Sequence, residues 1–141
     1  MNLLIALTLL LPLLATLVAG LRRVPAQRVL TVRRRGRYLR TLRPGWRWIV
    51  PGLDHPGRQV DLIGHHLHIG STGSNEAELY YQIVEPEKAG ETLDQVDAWV
   101  TAQAQEALRQ PTASSEQLKS EMNRRVARLG LRVVRCSLHI A

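Results

Sequence analysis

The sequence predicts an α+β fold: an N-terminal transmembrane helix followed by a small, mostly antiparallel sheet packed with two helices. Three observations predict it. The first 21 of the 141 residues carry no charged side chain. Residues 28–84 hold several β-branched or alternating runs punctuated by Gly and Pro. Residues 92–129 switch to helical spacing, and 131–140 switch back to alternation.

Residues 3–21 comprise ten Leu, Ile5 and Val18, with Ala, Thr, Gly and Pro12 between them. As a helix this run is roughly 28 Å long, close to the hydrocarbon thickness of a bilayer. Its apolar residues favour insertion by roughly several kcal/mol. Pro12 is tolerated in a spanning helix. A cleaved secretory signal is the rival reading. It requires a positive n-region and an apolar run of roughly 7–15 residues. Here only Met1 and Asn2 precede the run, which is longer than that. The expectation is an uncleaved anchor at 1–21 and one domain at 22–141. Arg22, Arg23 and Arg28 follow the anchor, and the positive-inside rule then keeps the domain cytoplasmic at the cell membrane.

About 120 residues remain for the domain, which excludes two nucleotide-binding halves or a barrel enzyme. The single cysteine, Cys136, excludes an internal disulfide framework and a multi-cysteine zinc site. The chain carries a net charge of +7, unevenly spread. Residues 22–58 hold eleven Arg against one acid, Asp54, a local charge of +10. Residues 59–141 hold eight basic and eleven acidic side chains, a local charge of −3. Basicity placed directly behind an apolar segment points to an anionic membrane surface rather than to nucleic acid. No nucleic-acid module is recognisable, and no nucleic-acid partner is expected.

In chain order, 28–34 (RVLTVRR) reads as a strand, Gly36 as a turn and 37–42 as its continuation. Pro44-Gly45 marks a turn; 46–50 alternates until Pro51-Gly52. Residues 60–69 and 77–84 are further strands, with Ala77, Leu79, Tyr81 and Ile83 on one face. Thr92 to Gln95 has the form of a capping box opening a helix with Val96, Val100, Ala104, Ala107 and Leu108 on its stripe. A second helix starts near Ser114 or Ser115 and places Leu118, Met122, Val126 and Leu129 together, with Gly130 as its cap. The last strand puts Val134, Cys136, Leu138 and Ile140 on a common face.

Taken together, Val24-Pro25, Gln27, the RRRGRY run of 33–38, Leu42-Arg43-Pro44-Gly45, Ile49-Val50-Pro51 and Val60-Asp61-Leu62 resemble the opening of stomatin-like proteins. These belong to the SPFH (band 7, prohibitin homology) family. Tyr80-Tyr81-Gln82-Ile83, residues 85–89 (EPEKA) and Gly130-Leu131-Arg132-Val133 are similar to later family segments, in the same order. The departures are a short 70–75 segment where the family has a longer strand region, a short 110–115 segment, and no C-terminal coiled coil by Ala141. The resemblance implies an SPFH/band 7-like domain acting as a membrane-anchored scaffold that organises microdomains or membrane-protein assemblies without catalysis. It also implies a homo-oligomer and membrane-protein clients; the alternative is an accessory regulator of a membrane protease.

His66 and His68 share a strand face while His65 points oppositely, so at most two converge, and a zinc site needs three or four ligands. Surface strand positions are the expectation for all three. Cys136 is expected to be a buried structural thiol. Ser71 to Ser74 reads as a turn without the surroundings of a nucleophile elbow or phosphate loop. Asp54 and Asp61 suit turn and strand-edge roles better than a catalytic pair. No enzyme activity, cofactor or metal is expected. The remaining signal is membrane-surface contact by Arg22, Arg23, Arg28, Trp46 and Trp48, with anionic lipid as partner. Arginines beside the anchor each add about 1 kcal/mol of attraction to an anionic leaflet. For Trp46 and Trp48, core packing is the plain role and anchoring at headgroup depth the sharper one.

Overall fold

The computed structural model describes residues 2–70, 75–110 and 114–140. Helix α1 (Asn2–Ala19) is exposed on all sides, with Leu side chains around its whole circumference. Such a helix has no core to face; its length and apolarity are those of a membrane span. Its hydroxyls are satisfied within the helix: Thr8 donates to Leu4 and Ile5 carbonyls, and Thr16 to the Pro12 carbonyl at 2.7 Å.

Without a linker, the chain enters β1 (Leu21–Val24), then β2 (Arg28–Arg34), β3 (Arg37–Leu42) and β4 (Gly45–Trp48). Next come β5 (Asp54–Asp61), β6 (His65–Gly70) and β7 (Asn75–Ile83). A short turn α2 (Pro86–Ala89) and a 3₁₀ segment (Gly90–Gln95) lead into α3 (Val96–Arg109). Helix α4 (Ser115–Val126) and β8 (Leu131–Ile140) close the fold. The expected sheet is divided into three antiparallel ones: a β1–β4 ribbon, β3–β2–β5 and β6–β7–β8.

Strand β2 binds the two halves of the core. Val29 joins Val60, the inner face of β7 and the stripes of α3 and α4 in one apolar cluster. Leu30 and Val32, on its other face, join Val24, Leu42 and Ile49 in a second, smaller one. The near-continuous apolar run of β2 reflects this double burial. Ala77, Leu79, Tyr81 and Ile83 are all buried, as their alternation requires.

Three stretches differ from the sequence expectation. The run 60–69 is two strands, because Leu62 turns between sheets: its N–H bonds the Gln27 carbonyl and its carbonyl accepts from Ile83 N–H. Residues 92–95 form the 3₁₀ segment rather than a capping box, and α3 begins without a side-chain cap. Within that segment Asp94 accepts from Thr31 (2.7 Å) and from Arg33 (2.6 Å). Charge-assisted bonds of this kind hold the segment against β2. Val134 leaves the face shared by Cys136 and Leu138: Tyr80 pairs with Arg135 and Tyr81 with Val133, so Val134 is the extra residue of a β-bulge and is exposed. Ile140 keeps its strand place, but its side chain lies outside the described residues, as does the whole of 71–74. The expected caps at Ser114, which accepts from Gln117 N–H, and at Gly130, in the left-handed region, are present.

Candidate membrane-contact surface

The end of α1 is gripped by β4. An α-helix leaves its last carbonyls without intrahelical donors. Here the Trp48 indole Nε1 donates to the Leu17 carbonyl at 3.0 Å, and Ile49 N–H donates to the Gly20 carbonyl at 2.9 Å. Gly20 is buried in this grip, where any Cβ would strike the Ile49 carbonyl oxygen and the Trp48 ring. The junction is therefore a packed joint, and it fixes the ribbon immediately below the apolar helix.

The ribbon register is Leu21 opposite Trp48, Arg22 opposite Arg47, Arg23 opposite Trp46 and Val24 opposite Gly45. Because side chains alternate, Leu21, Arg23, Trp46 and Trp48 occupy one face, and Arg22 and Arg47 the other. Trp46 is 64% exposed and Trp48 40%, so neither indole serves as core packing. The Arg23 guanidinium lies 5.9 Å from the Trp46 ring centroid, within cation–π range. Four of the five expected contact residues are thus together at the foot of the helix. Arg28 is elsewhere, on β2, where Asp61 takes its guanidinium at 2.7 Å.

Sequence reading missed Arg40 and Arg47 in this region. Arg40 donates to the Trp48 carbonyl at 2.7 Å, which brings β3 against the ribbon. The membership of Arg40 depends on strand pairing, whereas Arg47 stands between Trp46 and Trp48 in the sequence and faces Arg22 in the ribbon. Of the eleven arginines in 22–58, four have carboxylate partners: Arg28 with Asp61, Arg33 with Asp94, Arg34 with Asp54 and Arg43 with Glu87. Arg22, Arg23, Arg40 and Arg47, all at the helix end, have none among the described residues.

The remaining candidates have structural partners. Asp54 is buried at the start of β5, accepting from Arg34 Nε at 2.7 Å and Val50 N–H at 3.0 Å. The Arg34 bond, then the Val50 bond, hold its carboxyl below the usual carboxylate range. His65 stacks on Tyr81, ring centroids 4.7 Å apart, with Nδ1 3.1 Å from Asp97 and Nε2 2.6 Å from the Asp61 carbonyl. The buried Tyr81 hydroxyl donates to the same Asp97 carboxylate, and burial followed by that carboxylate pushes its phenol pKa up. His66 stacks on Tyr80, and His68 lies between Glu76 and Glu78. Among the described residues no group of three His, Cys, Asp or Glu is placed to hold a metal. Cys136 is half-buried against the main core, its thiol pKa raised by burial and then by Glu116. No family model matches the chain.

Proposed function

We propose that this chain is a single-span membrane protein whose small domain is held against the cytoplasmic leaflet as a non-catalytic scaffold of the stomatin/band 7 type. The observation that carries the reading is the packed joint at Gly20, with Trp48 and Ile49 bound to the last carbonyls of an apolar, fully exposed helix. A domain joined in this way cannot swing away from the bilayer. Its arginines without carboxylate partners and its exposed indoles are the residue types that headgroups attract. The SPFH-like identity rests on the ordered motifs between Val24 and about residue 140. In such a scaffold the helix supplies location, the basic end adds lipid attraction, and sheet edges or helix faces bind other copies or membrane-protein clients.

Two measurements on native membranes test this. Alkaline carbonate washing should leave the full-length chain in the membrane pellet; recovery in the wash would end the anchored reading. Gentle detergent extraction with partner identification should then give a homomeric assembly. A complex dominated by a membrane protease would replace scaffolding with protease regulation, and a partnerless monomer would remove the scaffold reading.

A further inference from the structure

We infer that the tip of the β2–β3 hairpin is a second contact with the bilayer, a site for the phosphate of an anionic lipid headgroup. This rests on the anchored reading above and adds a part of the molecule that lies outside the ribbon. Three short links carry the tip to the membrane end of the domain. Arg34, the last residue of β2, bonds Asp54 at 2.7 Å. Asp54 accepts Val50 N–H at 3.0 Å, and the adjacent Ile49 N–H bonds the Gly20 carbonyl at 2.9 Å. The two-residue turn Arg35-Gly36 follows Arg34 directly, and β3 resumes at Arg37, paired with Arg34.

Both turn residues have positive φ, 52° at Arg35 and 77° at Gly36. Such a turn favours Asn, Asp or Gly in its first place, because a larger side chain is strained there. An arginine in that position is a poor choice for folding, and it points to a role for its charge. Arg35 and Arg37 have no carboxylate or hydrogen-bond partner among the described residues, whereas neighbouring Arg33 and Arg34 both do. A cleft of about 500 Å³ is lined by Arg34, Arg35, Arg37, Tyr38 and Leu39. Two arginines without carboxylate partners on an open cleft suit a phosphate, which a guanidinium can engage bidentately. Exposed apolar side chains at the same end, Leu39 on β3 and Leu53 just before Asp54, favour a lipid over a soluble phosphate. Each arginine near an anionic surface is worth roughly a fivefold gain in occupancy, and the pair about thirtyfold.

The test uses the full chain in nanodiscs of phosphatidylcholine alone, and of phosphatidylcholine with phosphatidylglycerol. Hydrogen–deuterium exchange is followed across residues 33–40. Phosphatidylglycerol should slow exchange there by about fivefold to thirtyfold. The double variant Arg35→Asn, Arg37→Gln should abolish that protection while its thermal stability holds or rises, since Asn suits the turn better. Equal exchange in the two lipids would overturn the inference. So would protection by inorganic phosphate added to phosphatidylcholine discs, which would mark a soluble-anion site. Loss of the chain from membranes on carbonate washing defeats the anchored reading itself; retention together with equal exchange defeats this inference alone.

Discussion

The indole of Trp48 and the carbonyl of Leu17 are joined across the boundary between helix and domain by a 3.0 Å hydrogen bond. The indole is 40% exposed, so what it contributes is mainly this bond and not burial. Trp48→Phe keeps the ring and removes the donor, leaving the Leu17 carbonyl dependent on water. The expected cost is about 1 kcal/mol. Trp46→Phe, with no such bond and a more exposed ring, should stay within about 0.5 kcal/mol of the parent. Thermal unfolding of the full chain in nanodiscs reads both. Equal shifts for the two variants would mean that the bond contributes nothing to the joint.

Gly20→Ala tests the same joint from the other side. The added methyl would overlap the Ile49 backbone oxygen as well as the Trp48 ring, and a backbone atom cannot step aside as a flexible side chain would. Overpacking of this kind costs about 1–3 kcal/mol. The cheapest relief is to release the bonds to Leu17 and Gly20, which frees the domain to move relative to the helix. Limited proteolysis after reconstitution should therefore show a new cut near residues 20–25. An uncut variant of normal stability would show that the joint tolerates a looser packing.

Where one face of an element was buried, the sequence announced it. The alternation of Ala77, Leu79, Tyr81 and Ile83 and the stripe of Val96, Val100, Ala104, Ala107 and Leu108 are all buried as read. What stayed hidden depended on partners distant in the chain. Val134 breaks phase because β7 and β8 share a bulge, and nothing in a run of Val, Arg, Cys and Ser marks where the extra residue falls. The 92–95 segment is tied to β2 through Asp94, which accepts from Thr31 and Arg33 some sixty residues earlier, and no local pattern shows that. At the candidate contact surface, the nearness of Arg22 and Arg23 to the apolar helix and the shared face of Trp46 and Trp48 were legible in the sequence. Arg28 lies beyond the turn between β1 and β2 and pairs with Asp61, a partner that nearness in sequence to the helix does not reveal. Arg40 needed the pairing itself.

Cys136 offers a reading of how tightly the lower half of the fold is closed. Its thiol is half-buried beside the core, and burial, with Glu116 nearby, raises its pKa. Only the thiolate attacks a maleimide, so both access and chemistry slow the reaction. At neutral pH the folded chain should label much more slowly than the same chain in denaturant. Labelling at the denatured rate would place this strand edge in frequent opening.

The acid limit of stability should be set in part by Asp54. Its carboxyl is held below the normal range in the fold by Arg34 and the Val50 N–H. The unfolded chain therefore takes up a proton at higher pH than the folded one. The stabilisation is complete above the unfolded value of about 3.9 and is lost as the pH falls from there through the depressed folded value. Asp54→Asn retains a side-chain acceptor but surrenders the charge-assisted bond to Arg34, so it should be less stable at neutral pH. It should also lose less stability than the parent between about pH 4 and lower values, because the group that titrates there is gone. Denaturant unfolding at neutral pH and near pH 3 separates the two effects. A parallel displacement of the two proteins at both pH values would show that Asp54 keeps its proton equilibrium unchanged on folding, and that the link between Arg34 and the helix joint is held by something else.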